Sequence, residues 1–453
     1  MARLFGTDGV RGLAFGDVLT TDLARDLAAA AARELLGEAL DQGTHPIVAI
    51  GRDTRPSGPE LEAAAVEGFT SAGCTVVLLG VVPTPAVAYE VQHRAALGLM
   101  ISASHNPVQD NGLKFFGTGG SKLSDAQEDA IEARLGAPGR QVDAGRDLTE
   151  AYRATSGHRD DRPPMAMYLD HLVATVGDLS GLHVVVDGAQ GSASSIAPEA
   201  YRLAGARVTA IHCDADGARI NDGCGATHPE SLAAAVVQHG ADLGLAHDGD
   251  ADRCIVVDGA GRVLNGDQVL GLLALARKDH DEPASDAIVV TVMSNLGLEQ
   301  AMQKAGIEVV RTAVGDRYVL EALVQRGLRF GGEQSGHVVM LDHATTGDGL
   351  LTGLQVMDRI VRSGRTVADL ADAIEVLPQV LVNVRCDRER ATAPEVLAAV
   401  VEAERVLAGA GRVLLRPSGT EPLVRVMVEA TTQQRAEQVA EDLARTLDKI
   451  DHQ

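Results

Sequence analysis

The sequence predicts an α/β fold: three similar α/β domains in series, each with a mixed or parallel sheet, followed by a smaller C-terminal α+β domain. The order strand, helix, strand occurs three times along the chain, and such runs are typical of parallel crossover units. The chain has 453 residues, too many for one ordinary core, and 45% of them are apolar, enough for several cores. Both observations favour several α/β domains over one large domain.

The three runs share one layout. Their strands are predicted at residues 47–50 and 75–79, at 183–186 and 207–211, and at 287–290 and 307–310. Their helices are predicted over residues 59–72, over a segment that ends at Ala204, and over residues 296–305. Each helix ends in the pair Ala-Gly, and glycine readily adopts the left-handed conformation that terminates a helix.

The pattern changes near residue 367. Strands at residues 378–384, 413–415 and 424–428 alternate with helices at 393–407 and 434–447, which favours an α+β domain with antiparallel pairing. A polar, proline-rich stretch at residues 160–164 is typical of a linker. We therefore predict domains at residues 1–160, 161–257, 258–366 and 367–453.

Composition narrows the classes of partner. The formal net charge of −23 argues against nucleic acid or an anionic membrane surface, because both require a basic footprint. A small phosphorylated ligand needs only a local arginine cluster. The five cysteines are scattered without a C-x-x-C pair, no apolar run reaches the length of a membrane span, and the first residues lack a signal-peptide core. We expect a cytoplasmic protein.

The most informative motif is Asp248-Gly-Asp-Ala-Asp-Arg253, which follows an apolar strand at residues 242–247. In an extended loop, alternate side chains point to the same side, so the three carboxylates can converge. Like charges so close repel unless a cation neutralises them, and hard oxygen ligands suit Mg²⁺, Ca²⁺ or Mn²⁺. The motif therefore favours a metal site over the alternative of a solvated turn. An EF-hand is excluded, because Arg253 and Gly259 stand where that loop needs Gly and Glu.

A second loop, Ile101-Ser-Ala-Ser-His-Asn-Pro107, follows another buried strand. Ser104 is a candidate nucleophile there, and a plain turn is the alternative. His105 is expected to point away from Ser104, and no G-x-S-x-G motif occurs, so a hydrolase triad is not predicted.

Two further loops carry polar groups. Gly331-Gly-Glu-Gln-Ser-Gly-His337 is predicted to be a loop because it is too rich in glycine for a strand, and its carboxylate and hydroxyl suit a sugar. Arg416-Pro-Ser-Gly-Thr-Glu-Pro422 offers a forked donor, two hydroxyls and a glycine, which favours a phosphate-binding turn. The alternative for each is an ordinary surface turn. No Walker A motif occurs.

Together, the four loops resemble those of the α-D-phosphohexomutase family over essentially the whole chain. Three segments are most similar to the bacterial members that act on hexosamine phosphates: Phe5-Gly-Thr-Asp-Gly-Val-Arg-Gly12, the Gly-Glu-Gln-Ser-Gly-His form of the third loop, and Thr312-Ala-Val-Gly-Asp-Arg-Tyr-Val319. The resemblance implies four loops around a central cleft and, as in some family members, a homodimer.

The resemblance also implies a role for each of these loops. Ser104 resembles the serine that carries a phosphoryl group. The residues that resemble the Mg²⁺ ligands are Asp248, Asp250 and Asp252, with an oxygen of the Ser104 phosphate as a further ligand. The residues that resemble the sugar contacts are Glu333 and Ser335. The residues that resemble the clamp for the distal phosphate are Arg416, Ser418, Gly419, Thr420 and Arg425.

Basic residues complete the implied site. Arg11 and Lys114 match basic positions near the phosphoserine, and Arg253 adds positive charge beside the metal and is expected to bind substrate. Lys114 and His337 are the expected proton-transfer groups. Only five of the 40 Lys and Arg residues are lysines, so the choice of lysine at position 114 suggests that the site needs an amine that can lose its proton. The alternative is that Lys114 only balances the charge of a phosphate.

The activity implied by the resemblance is the interconversion of glucosamine 6-phosphate and glucosamine 1-phosphate through a phosphoserine enzyme and a bisphosphorylated sugar, feeding amino-sugar nucleotide and cell-wall precursor synthesis. Phosphoglucomutase or phosphomannomutase activity is the main alternative. A D-x-D phosphatase with Asp248 as nucleophile is less favoured, because Ala251 replaces the threonine expected after the second aspartate. A non-catalytic sugar-phosphate sensor would have no use for Ser104, Lys114 and the metal loop together.

Overall fold

A computed structural model describes residues 3–6, 8–135, 164–280, 282, 284–417 and 422–449. Three mixed sheets and one antiparallel sheet follow one another along the chain, which confirms the predicted α/β class. The predicted linker at residues 160–163 lies outside the described residues.

The first sheet has the strand order β1-β5-β4-β2-β3, with β6 beside β5. Its strands are β1 (Val10–Leu13), β2 (Ile47–Arg52), β3 (Thr75–Val81), β4 (Leu97–Ile101), β5 (Asp110–Gly117) and β6 (Ser121–Lys122). The helices of this region are α1 (Thr21–Asp41), α2 (Gly58–Ser71), α3 (Thr84–His93) and α4 (Asp125–Ala133). Strands β3, β2 and β4 are parallel, and β5 runs antiparallel to β4. Every residue of β4 is buried, as expected for a central parallel strand.

The second sheet has the order β11-β10-β9-β7-β8. Its strands are β7 (His183–Asp187), β8 (Arg207–Ile211), β9 (Leu243–Ala246), β10 (Ile255–Asp258) and β11 (Val263–Leu264). The helices of this region are α5 (Pro164–Ala174), α6 (Ala193–Leu203) and α7 (Glu230–His239). Strands β8, β7 and β9 are parallel, and β10 runs antiparallel to β9.

The third sheet has the order β13-β12-β14-β15. Its strands are β12 (Ala287–Thr291), β13 (Glu308–Thr312), β14 (Phe330–Gly332) and β15 (Val338–Met340). The helices along this part of the chain are α8 (Gly266–Asp279), α9 (Leu296–Lys304), α10 (Asp316–Arg326), α11 (Gly349–Ser363) and α12 (Val367–Ala371). Strands β13, β12 and β14 are parallel, and β15 returns antiparallel.

The expected helix ends are confirmed. The Ala-Gly pairs that follow α2, α6 and α9 place Gly73, Gly205 and Gly306 at φ +101°, +104° and +70°. One expectation is wrong: Gly331 and Gly332 lie in strand β14 rather than in a loop. A Cβ atom at Gly331 would lie 2.3 Å from the carbonyl oxygen of Val289 on β12, so glycine here allows two strands to approach closely.

The chain divides by its contacts into two compact units. The first comprises Met1–Met293 and Glu308–Ala371, and the second comprises Ser294–Ile307 and Asp372–Gln453. The second unit contains α9 and an antiparallel sheet in the order β16-β18-β17. Its remaining elements are β16 (Gln379–Arg385), α13 (Pro394–Leu407), β17 (Arg412–Pro417), β18 (Leu423–Glu429) and α14 (Gln433–Lys449). No described helix is long and apolar enough to cross a membrane.

Candidate active site

Three of the four predicted loops occupy the same position in their sheets. Each one connects the third parallel strand to the antiparallel strand that follows: β4 to β5, β9 to β10, and β14 to β15. Ligands of open α/β sheets bind beyond the carboxyl ends of the parallel strands. The topology of the first unit therefore places three loops where a ligand site is expected: the serine loop (residues 101–107), the acidic loop (residues 248–253) and the sugar loop (residues 331–337).

The three carboxylates of the acidic loop converge. Asp248, Asp250 and Asp252 are buried, and one oxygen of each lies within 4.8 Å of the others. Ala251 adopts a left-handed backbone with φ +56°, which turns the loop between the second and third carboxylates. Gly249 permits the approach of the serine loop, because a Cβ atom there would lie 2.6 Å from the Ser104 carbonyl oxygen.

A divalent cation fits this loop. The Oδ1 atoms of Asp248, Asp250 and Asp252 are buried and have no hydrogen-bond partner among the described residues. Burial, together with the like charges of Asp252 and Asp250, raises the pKa of Asp248 to about 7. Three buried carboxylate oxygens without partners form the hard donor set that Mg²⁺ and similar cations bind.

Ser104 lies directly beside this loop. Its Oγ donates a hydrogen bond to Asp248 Oδ2 at 2.6 Å, and its backbone N–H donates to Ser102 Oγ at 2.8 Å. Ser104 has φ +54°, an uncommon conformation for a residue with a side chain. His105 does not point away as expected, because its Nδ1 lies 3.5 Å from Ser104 Oγ. Burial and the nearby Arg253 lower the pKa of His105 to about 4, which keeps its imidazole neutral at pH 7.

Lys114 on β5 bridges the carboxylates. Its Nζ lies 2.7 Å from Asp250 Oδ2, 2.8 Å from Asp8 Oδ2 and 3.6 Å from Asp252 Oδ2. Burial alone would lower the pKa of Lys114, but Asp250 and Asp8 outweigh it and raise that pKa above its ordinary value. The amine is therefore a stable cation in this arrangement, and its role in proton transfer remains a prediction. Thr84, which the sequence did not mark as a site residue, donates to Asp250 Oδ2 at 2.6 Å.

Asp8 was also missed, although it belongs to the opening motif that the sequence singled out. Its carboxylate pairs with Lys114, with Arg11 and with Lys122, whose Nζ lies 2.6 Å from Asp8 Oδ1. Arg11 reaches the serine loop, where its Nη1 lies 3.4 Å from the Ala103 carbonyl oxygen. Asp8 thus organises the positive charge around Ser104.

His337, at the end of the sugar loop, lies next to the acidic loop. His337 Nδ1 lies 3.6 Å from Asp252 Oδ2, and its Nε2 has no hydrogen-bond partner among the described residues. Burial would lower the pKa of His337, but Asp252 raises it above the ordinary value. Glu333 Oε1 accepts a hydrogen bond from the Gly315 N–H at 3.0 Å, and the buried Ser335 Oγ has no partner in the described chain. A buried hydroxyl and a buried imidazole nitrogen that lack hydrogen bonds within the described chain, beside the acidic loop, suit a polar ligand.

Arg253 closes the acidic loop. Its Nε lies 3.9 Å from Asp248 Oδ2 and 3.8 Å from Asp252 Oδ1, too far for hydrogen bonds. That Nε is buried without a hydrogen-bond partner among the described residues. A buried donor left unpaired costs free energy, so an anionic ligand at this point would be favoured.

The second unit carries the arginines of the fourth loop. Arg416 on β17 and Arg425 on β18 are directly opposite one another in the sheet register. Burial and the neighbouring Arg425 lower the pKa of Arg416. Like charges directly opposite destabilise a sheet unless an anion lies between them. The predicted clamp residues Ser418, Gly419 and Thr420 lie outside the described residues.

A second donor group differs from the acidic loop. Asp187, His212 and Cys224 also have donor atoms within 4.8 Å of one another. The Asp187 carboxylate, however, already accepts hydrogen bonds from the backbone N–H groups of Ala189 and Gly225 and from His212 Nδ1. This group therefore holds the turn between β8 and α7 in place.

Comparison with known families covers nearly the whole chain. Models of phosphoglucomutase/phosphomannomutase domains match in order: α/β/α domain I at residues 2–140, domain II at 166–261, domain III at 265–377 and the C-terminal domain at 381–446. These matches agree with four domains in series.

Curated relatives and solved structures agree with the family models. The chain is 56% identical to the phosphoglucosamine mutase of Parafrankia sp. (strain EAN1pec), covering 98% of each chain, and 55% identical to that of Rhodococcus jostii (strain RHA1), covering 99% and 100%. A phosphoglucomutase/phosphomannomutase family protein of Burkholderia thailandensis matches with a TM-score of 0.79 and 24% identity over 99% of this chain and 98% of that one. Aspergillus fumigatus N-acetylphosphoglucosamine mutase, solved with GlcNAc-6P and magnesium, matches with a TM-score of 0.64 and 19% identity over 98% and 95%.

Proposed function

The chain belongs to the phosphoglucomutase/phosphomannomutase family, and on that premise we propose that it interconverts glucosamine 6-phosphate and glucosamine 1-phosphate. The observation that carries the proposal is the contact between Ser104 Oγ and Asp248 Oδ2 at 2.6 Å, which sets a candidate phosphoryl carrier against a metal-binding loop. The names of relatives more than 50% identical over nearly full length support the choice of a hexosamine phosphate.

We propose that phosphorylated Ser104 is the active form. A hydroxyl of the sugar phosphate attacks the phosphorus, the bond between phosphorus and Ser104 Oγ breaks, and the sugar hydroxyl loses its proton. The bisphosphorylated sugar then turns over and returns its other phosphoryl group to Ser104, which restores the enzyme. Such transfer depends on positioning and charge neutralisation more than on covalent assistance.

Asp248, Asp250 and Asp252 would hold the divalent cation, and their hard oxygens favour Mg²⁺. A cation bound there would neutralise charge that develops on the transferring phosphoryl group. Arg11, Arg253 and Lys114 supply the positive charge that the protein itself contributes around Ser104. The structure of the A. fumigatus enzyme with magnesium is consistent with this choice of ion.

The proton of the attacking hydroxyl must pass to a base. We propose His337 over Lys114 as this base. Neighbouring carboxylates raise the pKa of both groups, but an imidazole starts from an ordinary pKa of about 6.5 and an amine from about 10.4, so His337 has far more of the neutral form at pH 7 than Lys114, whose Nζ lies 2.7 Å from Asp250 and 2.8 Å from Asp8. Glu333 and Ser335 would bind sugar hydroxyls, and Arg416 and Arg425 would bind the phosphate that is not being transferred.

The proposal extends to cellular context. A hexosamine 1-phosphate is the form from which nucleotide sugars are made, so the enzyme would supply amino-sugar nucleotide and cell-wall precursor synthesis. Five unpaired cysteines suit the reducing cytoplasm. A homodimer remains a prediction, which sedimentation of the purified protein tests.

Intact-mass measurement tests the phosphoryl carrier. We expect purified protein to carry one phosphoryl adduct, which Ser104→Ala abolishes together with activity. Ser102→Ala is the matched control for the adduct alone: its hydroxyl donates to Asp53 and accepts from the Ser104 N–H, so this variant should keep the phosphoryl adduct even if kcat falls. An active Ser104→Ala enzyme without adduct would refute the assignment.

Kinetics with three substrates test the specificity. We expect kcat/KM for glucosamine 6-phosphate to exceed that for glucose or mannose 6-phosphate. Equal or higher values for glucose or mannose would instead make the protein a phosphoglucomutase or phosphomannomutase.

A further inference from the structure

Arg55 is completely buried beneath the serine loop, and all five of its N–H donors are used. The Nε donates to Asp53 Oδ2 at 2.9 Å. Three of the four terminal N–H groups donate to backbone carbonyl oxygens of the serine loop, those of Ser104 at 3.0 Å, Asn106 at 2.7 Å and Pro107. The fourth donates to the carbonyl oxygen of Asp110, at the start of β5, at 2.8 Å. An arginine that donates three hydrogen bonds to the backbone of one loop, and is itself held by Asp53, fixes the path of that loop.

Asn221 holds the same peptide from another direction. It lies in the turn between β8 and α7, and its Nδ2 donates to the Ser104 carbonyl oxygen at 2.9 Å and to that of Asn106 at 3.2 Å. Asn221 has φ +60° and its own N–H bonds the Ala189 carbonyl oxygen at 3.0 Å. Asp187 anchors the same turn through the Gly225 N–H at 3.0 Å.

The two sheets are joined at this point by further contacts. Thr54 Oγ1, next to Arg55, donates to the Gln190 carbonyl oxygen at 2.7 Å. A Cβ atom at Gly217 would lie 1.7 Å from the Thr54 carbonyl oxygen. The turn that contains Gly217 and Asn221 therefore packs directly against the backbone next to Arg55. Loops that follow strands of the second sheet therefore carry both Asp248, which accepts a hydrogen bond from Ser104 Oγ, and Asn221, which donates to the Ser104 carbonyl oxygen.

We propose that Arg55 and Asn221 are positioning residues that hold the Ser104 backbone so that its Oγ stays aligned with the acidic loop during phosphoryl transfer. This rests on the proposed function of Ser104. The left-handed conformation of Ser104 costs about 1 kcal/mol, and hydrogen bonds on both sides of its carbonyl stabilise it. Relaxation of that peptide would swing Oγ away from Asp248, and misplacement by about 1 Å costs on the order of 100-fold in rate.

Asn221→Gly tests the hydrogen bonds that Asn221 donates to the serine loop. Glycine adopts the left-handed backbone of residue 221 without strain and removes the side chain that carries the amide. We expect kcat to fall about 10- to 100-fold while KM changes less than about threefold and the melting temperature moves by only a few degrees. Asn221→Asp, which keeps the shape but replaces the donor with a carboxylate against the Ser104 and Asn106 carbonyl oxygens, is expected to lose at least as much kcat. Ala215→Gly is the matched control, because Ala215 is exposed in the same turn with φ +55° and should leave kcat unchanged.

Arg55→Lys tests the hydrogen bonds that Arg55 donates to the serine loop. Lysine keeps the charge but offers three donors instead of five, so we expect kcat to fall at least as far as in Asn221→Gly. Arg52→Lys is its control, since Arg52 lies three residues before Arg55 at the end of β2 and pairs with Glu62 on α2 at 2.9 Å. Arg55→Lys will also lower the stability of the fold. The decisive test of positioning is therefore whether the Asn221 variants lower kcat while KM stays nearly unchanged.

The outcomes separate this proposal from the assignment of Ser104. A phosphoryl adduct on Ser104 in every variant, with kcat reduced only in the Arg55 and Asn221 variants, supports positioning. An Asn221→Gly enzyme with kcat within about twofold of wild type, still phosphorylated on Ser104, overturns it and leaves the function intact. A wild-type enzyme without an adduct at Ser104 overturns the proposed function and this inference with it.

Discussion

The acidic loop and the arginine pair, Arg416 and Arg425, each bring side chains of like charge close together, negative in the first and positive in the second. Asp248, Asp250 and Asp252 converge at the end of β9, and Arg416 and Arg425 face one another across β17 and β18. In each place like charges are packed closer than is favourable without a counter-ion. Both regions are therefore organised for a partner of the opposite charge.

The two regions differ in how deeply their charged side chains are buried and in which charges of the protein lie beside them. The acidic loop is buried and already has internal cations, with Lys114 Nζ 2.7 Å from Asp250 and Arg253 Nε 3.8 Å from Asp252. The arginine pair is only partly buried, and its two residues face one another in the sheet register with the same sign of charge. A buried site with its own counter-charges suits an ion that stays bound, whereas an open pair suits a phosphate that must come and go.

The largest expected effect comes from neutralising one carboxylate. We expect both Asp248→Asn and Asp252→Asn to lower kcat by about 1,000-fold or more, because each removes a cation ligand. Their effects on stability should be opposite in protein stripped of metal at pH 8. The fold raises the pKa of Asp248, so its charge opposes folding above that pKa, but it lowers the pKa of Asp252, whose charge Lys114 and His337 stabilise.

Melting temperatures of the metal-free variants check this contrast. We expect Asp248→Asn to melt about 2 °C or more above wild type and Asp252→Asn to melt below it. Equal losses in both variants would show that the three carboxylates do not repel one another in the folded protein.

The next effect concerns the arginine pair. Arg416→Ala should raise KM about 10- to 100-fold for either sugar phosphate and change kcat little, because the clamp binds the phosphate that does not react. Arg405→Ala is the control, since Arg405 pairs with Glu402 at 2.6 Å on the exposed surface of the same unit. Steady-state kinetics in both directions measure the change, and an unaltered KM would remove Arg416 from substrate binding.

Local motifs allowed the acidic loop and Ser104 to be predicted, since an apolar strand followed by alternating carboxylates or by a serine turn can be read within ten residues. The partners of those residues could not be read in that way. Arg55 holds a loop 49 residues further along the chain, and Asn221 reaches back 117 residues to Ser104. Nothing local in either segment indicates that its side chain will bind a distant carbonyl group.

Two wrong expectations have the same physical origin. His105 was expected to point away because neighbouring side chains usually diverge, but the left-handed backbone of Ser104 brings His105 Nδ1 to 3.5 Å from the hydroxyl. Gly331 was assigned to a loop because glycine is rare in strands, but the close approach of Val289 on the neighbouring strand requires it. In both cases a constraint from elsewhere in the fold overrides the local preference.

A smaller effect is expected from pH on the metal requirement. Burial and the like charges of Asp252 and Asp250 raise the pKa of Asp248 to about 7, so below that pH a cation must displace a proton to bind. The Mg²⁺ concentration for half-maximal activity should rise about tenfold per unit as pH falls below 7 and become flat above it. Activity titrations with Mg²⁺ at several pH values measure this. A half-maximal concentration that does not change between pH 5.5 and 8 would show that the proton on Asp248 does not compete.

The smallest effect should distinguish the arginine pair from the acidic loop most clearly. Arg425→Gln relieves the like-charge contact with Arg416, so it should raise the free energy of unfolding by about 0.2–1 kcal/mol in buffer without phosphate while it raises KM. Inorganic phosphate should remove the difference, because the anion neutralises the wild-type pair but has less to gain in the variant. Melting curves of both proteins with and without phosphate measure it. A variant less stable than wild type in phosphate-free buffer would mean that Arg425 stabilises the sheet and that the two guanidinium groups do not strain it.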